Sequence, residues 1–209
     1  YGCGEVSATW TVDVWPEIEL GTINSPTNDY SVCYETQPDP ISIEEPTGAE
    51  NGEWTYQWYK ATGSDLNNLN WQPIGLDNPQ YEPDVLTETT HYKVSVTSSL
   101  YGCTTQDSEE LTITVLEPLD PGIIVQPDPI CYETSTTLTF EENNEAQGGN
   151  ETFNYEWFQN GISVLNGPEN SYTTGDLLNG NYTYYVEVTT YDNEGSPCTT
   201  LTTNSVDLI

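Results

Sequence analysis

The residue types that most often carry catalysis are scarce in this chain. Its 209 residues include one histidine, His91, two lysines and no arginine. A Ser–His or Cys–His pair needs a base beside the nucleophile, and a lone histidine two residues from Lys93 offers no such arrangement. The sequence also has no glycine-rich phosphate loop and no His-Glu-x-x-His zinc motif. We therefore predict that the chain is not an enzyme and that His91 is a solvent-facing strand residue.

Carboxylates are abundant and suggest a second kind of chemistry. The 34 aspartates and glutamates give a formal net charge of −32, and calcium prefers carboxylate and carbonyl oxygens. Candidate calcium ligands are Asp192 and Glu194 in a polar loop, and Glu117 and Asp120 in a proline-containing stretch. No full Asp-x-Asp-x-Asp-Gly loop is present, and a role of the charges in solubility and mutual repulsion is the favoured interpretation. Calcium stays open, and no other cofactor is expected.

Two tryptophans, Trp15 and Trp71, fall outside the apolar pattern described below. Flat aromatic rings can stack on sugars, so these two are candidate glycan-binding residues. Packing in a loop or at a junction between domains is the alternative for both.

Composition restricts the partners. A strongly acidic surface repels nucleic acid and anionic lipid, and no apolar run reaches the length of a membrane helix. We expect no nucleic acid partner and no direct membrane insertion. The expected partners are neighbouring repeats of the same long chain, with surface glycans or self-association as further possibilities.

An internal repeat organises the chain. The segment Cys-Tyr-Glu-Thr at 33–36 recurs at 131–134, and Tyr-x-Trp at 56–58 recurs at 155–157. We predict two units, residues 17–117 and 118–209. Residues 1–16 resemble the end of a unit, because Tyr1-Gly2-Cys3 matches residues 101–103. They are predicted to be the C-terminal hairpin of a preceding, truncated repeat.

Each unit shows apolar residues at every second position, the pattern of strands with one buried face. Short alternating segments separated by turn residues in units of about 95 residues are typical of β-sandwiches. The predicted fold class is all-β, with tandem Ig-like sandwich domains that each carry one disulfide. The predicted central core residues are Trp58, Tyr92, Trp157 and Tyr184.

Five cysteines fit this repeat. Pairing Cys33 with Cys103 and Cys131 with Cys198 gives one bridge within each unit, and Cys3 is left unpaired in this segment. Metal binding by the cysteines is the weaker alternative, because no two of them are close in sequence. Disulfides imply an oxidising, extracellular location.

The order of motifs resembles a known class of repeat. Cys-Tyr-Glu-Thr is followed by Tyr-x-Trp, by Thr-x-Tyr-x-Val-x-Val-Thr, by Gly-Cys and by a Val-rich closing strand. This order is similar to the Ig-like repeats of large Bacteroidota cell-surface proteins, such as gliding-motility adhesins and other type IX secretion cargo. The second unit departs from it, with Pro197 before its closing cysteine. The resemblance implies extracellular spacers or adhesive modules and carries over no catalytic residue.

Three functions follow as expectations. The first is a non-catalytic segment of a bacterial cell-surface adhesin, acting as a stalk or adhesive module in attachment or gliding. The second is a self-assembling extracellular filament subunit, in which residues 1–16, with the alternating Trp10, Val12 and Val14, donate a strand to a neighbouring molecule. The third is a carbohydrate-binding module that uses Trp71.

Overall fold

A computed structural model describes residues 7–24, 31–48, 53–63, 68–98 and 105–209. These residues form β-strands joined by turns and loops, with no α-helix in the ranges given. The described part of the chain has no helix long and apolar enough to cross a membrane.

The strands of the first unit alternate between buried and partly exposed residues, as period-two sequence requires. They are β1 (Ile23–Asn24), β2 (Ser31–Val32), β3 (Ile41–Ile43), β4 (Trp54–Thr62), β5 (Gln72–Leu76), β6 (Gln80–Tyr81), β7 (Thr90–Ser98), β8 (Thr105–Asp107) and β9 (Leu111–Val115). One sheet has the order β2-β9-β7-β4-β5, with β8 also paired to β7, and the other has the order β1-β3-β6.

The second unit repeats this plan. Its strands are β10 (Glu117–Asp120), β11 (Thr137–Thr139), β12 (Gln147–Gly149), β13 (Phe153–Gln159), β14 (Ile162–Gly167), β15 (Ser171–Thr173), β16 (Tyr182–Tyr191), β17 (Pro197–Thr202) and β18 (Val206–Leu208). The larger sheet has the order β14-β13-β16-β17, with β18 paired to β16, and two short pairs, β10-β12 and β11-β15, complete the unit.

Each unit has its own hydrophobic core. Trp58 and Trp157 are fully buried, and each indole N–H donates a hydrogen bond to a backbone carbonyl, of Asn78 and Glu169 respectively. Tyr92 and Tyr184 are buried beside them. The prediction of an all-β chain of tandem Ig-like sandwiches is confirmed.

His91 differs from the prediction, because its side chain is buried, with 2% exposed. Nε2 lies 2.9 Å from the carbonyl oxygen of Gly63, and Nδ1 lies 2.9 Å from the hydroxyl of Thr112. A carbonyl only accepts, so Nε2–H donates to it, and in the neutral ring Nδ1 accepts from the hydroxyl. The loop at Gly63 and strand β9 cover a strand face that alternation alone assigns to solvent, which is why the prediction was wrong.

Residues 7–16 form no strand, although their pattern predicted part of a hairpin. The side chains of Trp10, Val12 and Val14 are 89%, 80% and 86% exposed. An alternating apolar pattern becomes a strand only where a partner strand supplies backbone hydrogen bonds, and none pairs with these residues in the described part of the chain. Residues 1–6 of the predicted hairpin, including Cys3, lie outside the described residues.

Candidate functional site

The structure joins Cys33 of the first unit to Cys198 of the second, with 5.4 Å between their Cα atoms. The predicted pairs Cys33–Cys103 and Cys131–Cys198 are therefore wrong. Cys131 is a free, exposed thiol, and Cys103 lies outside the described residues. The bridge links the units instead of closing each one.

Strand register explains why a bridge within unit 2 cannot form. Tyr182, at one end of β16, pairs with Leu208, and Tyr191, at the other end, pairs with Pro197. Cys131 lines a groove with Tyr182 and Leu208, whereas Cys198 follows Pro197. The ten residues of β16 span roughly 30 Å at about 3.3 Å per residue, far beyond the Cα separation that a disulfide allows.

A tight turn positions Cys33 at the end of unit 1. Strand β2 runs parallel to β9, so that Val32 lies opposite Val115, and the N–H of Leu116 donates to the carbonyl of Val32. Glu35 then adopts a positive φ of 58° and donates its N–H to the carbonyl of Leu86. The turn presents the cysteine beside the point where the chain passes from β9 into β10.

Strand β17 positions Cys198 at the facing end of unit 2. Thr199 pairs with Thr190, and the hydroxyls of Thr189 and Thr200 lie 2.8 Å apart. The pairing of β17 with β16 shifts register beside Tyr191, next to the loop that precedes β17. The strand that carries Cys198 is therefore fixed on the end of the sheet that faces unit 1.

A cleft of about 180 Å³ lies at this junction. It is lined by residues of both units and of the connection between them: Cys33, Tyr34, Glu35, Leu116, Glu117, Pro118, Leu119, Gly149, Thr190, Cys198, Thr199 and Leu201. Gly149 has a φ of +61°, and a Cβ there would collide with the side chain of Thr190. A glycine at this position lets β12 approach β16 at the wall of the cleft.

The cleft shows no arrangement for nucleophilic or acid–base catalysis. The single histidine, His91, is buried within unit 1. The largest pKa changes belong to the core tyrosines Tyr92 and Tyr184. Burial raises the pKa of Tyr184 to about 12, with smaller contributions from Tyr172 and Tyr182. These tyrosines therefore stay neutral and act as packing residues.

Two of the four calcium candidates, Asp192 and Asp120, accept hydrogen bonds from backbone N–H groups. Asp192 accepts from the N–H groups of Glu194 and Ser196, and Asp120 accepts from that of Gly122. Glu117 begins strand β10, opposite Gly149. Within the residues that the structure describes, no three His, Cys, Asp or Glu side chains come together as metal ligands.

The two glycan candidates have different surroundings. The ammonium of Lys93 lies 4.9 Å from the ring centre of Trp71, so a cation already occupies one face of that ring. Trp15 is 39% exposed, in the segment that forms no strand. The structure does not bring the two rings together into one described pocket.

Sequence reasoning missed the bridge between units and the hydrogen bonds of the turn that holds Cys33. The cysteine order is compatible with such a bridge. Reading from Cys3, the two Gly-Cys cysteines, Cys3 and Cys103, are each followed by one of the Cys-Tyr-Glu-Thr type, and the Pro-Cys cysteine, Cys198, comes last. A pairing shifted by one unit satisfies that order as well as a pairing within units, and only the position of each cysteine on the sandwich decides between them.

Comparison with protein families gives one match. Residues 21–117 match a family described as a domain of unknown function (DUF8696), and this range falls within the first predicted unit. Comparison with curated proteins gives no significant match.

Comparison with solved structures gives several matches. Three N-terminal domains of the bacteriophage RB49 highly immunogenic outer capsid protein (Hoc) match with a TM-score of 0.56 at 13% identity, over 92% of this chain and 69% of that one. Fibronectin(III)-like modules of Clostridium thermocellum CbhA match with a TM-score of 0.34 at 14% identity, over 92% and 93%. Chicken CNTN1 FN1-FN3 domains match with a TM-score of 0.37 at 10% identity, over 94% and 64%.

The first of these likenesses identifies the fold. The chain is similar to a tandem array of Ig-like domains along nearly its whole length, and no catalytic family is indicated. The junction bridged by Cys33 and Cys198 is its most distinctive chemical feature among the described residues.

Proposed function

We propose that this chain is a non-catalytic extracellular repeat segment that holds successive sandwich units in line, as a stalk or adhesive module of a large bacterial cell-surface protein used in attachment or gliding. The bridge between Cys33 and Cys198 is the observation that carries this proposal. The disulfide joins two units that each have their own core, and it restricts how the two units sit relative to each other.

The connection between the units supports the same function. Strand β9 ends at Val115 and strand β10 begins at Glu117, so a single residue, Leu116, separates them. Pro118 follows within β10 and restricts φ. With a bridge on one side and a one-residue connection on the other, the junction resists both bending and twisting, as a spacer requires.

Charge and redox chemistry support an extracellular location. A stable disulfide forms in oxidising compartments, and the net charge of −32 keeps neighbouring molecules apart at low salt. A secreted or surface location fits both properties. The motif order described above is the basis for assigning the bacterial adhesin class.

Small-angle scattering tests the stalk. The wild-type chain is compared with a Cys33→Ser/Cys198→Ser variant, and circular dichroism confirms that both remain folded. We expect one narrow distribution of shapes for the wild type and a broad one for the variant. Equal flexibility in the two proteins would remove the case for a stalk.

Adhesion is tested separately. Beads that carry the oxidised chain are compared with beads that carry the bridge-free variant and with beads that carry albumin, on glass and on bacterial cells. Retention of the wild-type beads above the albumin level assigns an adhesive role. Retention at the albumin level limits the function to that of a spacer.

A self-assembling filament is the second candidate, and residues 7–16 favour it. Trp10, Val12 and Val14 are exposed and alternate as a donated strand would. Light scattering on a sizing column, in calcium and then in chelator, tests the idea with a Trp10→Thr/Val12→Thr/Val14→Thr variant as the control. Oligomers that the variant lacks would support strand donation, and chelator sensitivity would implicate calcium. A 23.3 kDa monomer throughout would reject the filament.

A further inference from the structure

The turns that hold Cys33 and Cys131 have the same geometry. Glu35 and Glu133 have φ values of 58° and 55°. Each donates its N–H over 2.9 Å to the carbonyl of a leucine, Leu86 in unit 1 and Leu177 in unit 2. In each turn the threonine N–H lies 3.2 Å from the cysteine carbonyl oxygen. The two cysteines therefore occupy the same place on their sandwiches.

The surroundings of the two turns differ. The turn of Cys33 faces unit 2 and is bridged to it. The turn of Cys131 is open, and the side chains around it are exposed: Tyr132 by 65%, Leu178 by 57% and Ile209 by 90%. These residues border a groove of about 300 Å³ that also includes Ile130 and Leu208. This end of unit 2, which we call the Cys131 face, is the counterpart of the face that unit 2 covers on unit 1.

From this equivalence we infer that the Cys131 face docks a further sandwich unit of the same type, which presents a cysteine equivalent to Cys198 and forms a disulfide with Cys131. The existing junction supplies the model for the contact, since the same turn, with the same backbone geometry, already receives a Cys198 strand in unit 1. The bridge would also remove an exposed free thiol from an oxidising compartment, where disulfides form and persist.

The chemistry of the bridge is ordinary thiol–disulfide exchange. A small-molecule disulfide such as oxidised glutathione is the oxidant. The Cys131 thiolate attacks it and displaces one thiolate, and the incoming cysteine thiolate then attacks the mixed disulfide and displaces the second. One S–S bond forms in the protein and one is lost from the oxidant, which leaves as two thiols carrying the two protons that the cysteines release.

The docking face deepens the stalk function proposed above, because it would repeat one junction along an array. Its test extends the full chain: residues 115–209 are added after Ile209, so that the added Glu117 lies four positions after Leu208, as Glu117 lies four positions after the equivalent Ile113. The protein is oxidised with glutathione disulfide, and its bridges are mapped without reduction. We expect Cys131 to be joined to Cys198 of the added unit and Cys33 to stay joined to the original Cys198.

Digestion after glutamate distinguishes the two Cys198 peptides, because the original one runs on past Ile209. Changing Cys131→Ser in the original unit should abolish the new bridge, whereas the same change in the added unit should leave it in place. A free Cys131 in the original unit of the extended chain, with the Cys33–Cys198 bridge intact, would overturn the inference. This result would not depend on whether the chain binds any surface, so failure of adhesion and failure of docking are separable.

Discussion

At the same cross-strand position, unit 1 places Lys93 opposite Tyr59 and unit 2 places Tyr185 opposite Phe158. In unit 1 the ammonium lies 5.9 Å from the Tyr59 ring centre and 3.0 Å from a carboxylate oxygen of Asp107. In unit 2 the two rings stack, with centroids 4.8 Å apart and an 8° angle between their planes.

The buried faces of the same strands are far more alike. Each unit has a fully buried tryptophan opposite a fully buried valine, Trp58 with Val94 and Trp157 with Val186. The comparison shows that close packing restricts the interior to one solution, whereas the outer faces of these strands tolerate different chemistry. The two cysteine turns are a third kind of comparison. Their backbone hydrogen bonds are alike, but Cys33 lies against the second unit and is bridged to it, whereas Cys131 is free.

The two cysteine turns give the largest expected difference. Replacing Cys33→Ser removes a bridge that closes 165 residues, worth about 5 kcal/mol in the loop-entropy account. Replacing Cys131→Ser removes an exposed thiol and should change the free energy of unfolding by less than about 0.5 kcal/mol. Urea unfolding without reductant measures both, and equal losses in the two variants would contradict the assignment of the bridge.

The two core tryptophans should behave alike. Trp58→Ala and Trp157→Ala each leave a large cavity, at an expected cost of about 4 kcal/mol to the unit concerned. Hydrogen exchange resolves the units separately, and only the altered unit should lose protection. Loss of protection in both units from either change would mean that the cores are not energetically independent.

Replacing Gly149 should destabilise unit 2, whereas replacing Gly175 should have little effect on its stability. Gly149→Ala combines a positive φ with a collision against Thr190, and we expect unit 2 to lose about 2 kcal/mol. Gly175 has open space around its Cβ position, so Gly175→Ala serves as the control and should be nearly neutral. Thermal melts of both variants, under oxidising conditions, test this prediction.

The outer cross-strand pairs should differ in salt dependence. Tyr185→Ala removes a stacked pair worth about 1 kcal/mol, and this loss should be the same in low and high salt. Lys93→Ala removes a partly exposed ion pair, for which we expect less than about 1 kcal/mol and a smaller loss in 1 M salt. Equal salt dependence in the two variants would show that the Lys93–Asp107 ion pair makes no salt-dependent contribution to stability.

The smallest expected effect is that of pH on Asp107. The Ser95 hydroxyl, and then the Lys93 ammonium, hold the pKa of Asp107 below its ordinary value. A lowered pKa in the folded state stabilises the fold above the unfolded pKa of about 3.9 and is lost as pH falls through the folded value. The stability difference between wild type and Asp107→Asn should therefore shrink below about pH 4. A constant difference from pH 7 to pH 2 would exclude this titration.

Alternation of apolar residues was enough to predict the core strands and the sandwich class, because burial of one sheet face leaves a period of two in the sequence. Trp58 and Tyr92 illustrate this. The same signal failed at His91, where a loop covers the second face, and at residues 7–16, where no described strand pairs with the pattern.

The cysteines could not be assigned for a different reason. Repeat spacing places Cys131 and Cys198 in the same unit and contains no information about which end of the sandwich each one occupies. That position depends on strand register, through Tyr182 opposite Leu208 and Tyr191 opposite Pro197. The junction cleft could not be predicted from the sequence either, because its lining comes from segments of two units that only the fold brings together.

The Cys33–Cys198 bridge also determines what happens when the chain is pulled from its two ends. Tension passes through the sulfur atoms and bypasses the 165-residue stretch between them, which contains most of both sandwiches. Roughly 550 Å of contour, at about 3.3 Å per residue, is thereby withheld from extension. While the bridge is intact, force from the chain ends can detach only strands outside the closed stretch, such as β2 and β18, and extension of the rest requires reduction of one covalent bond.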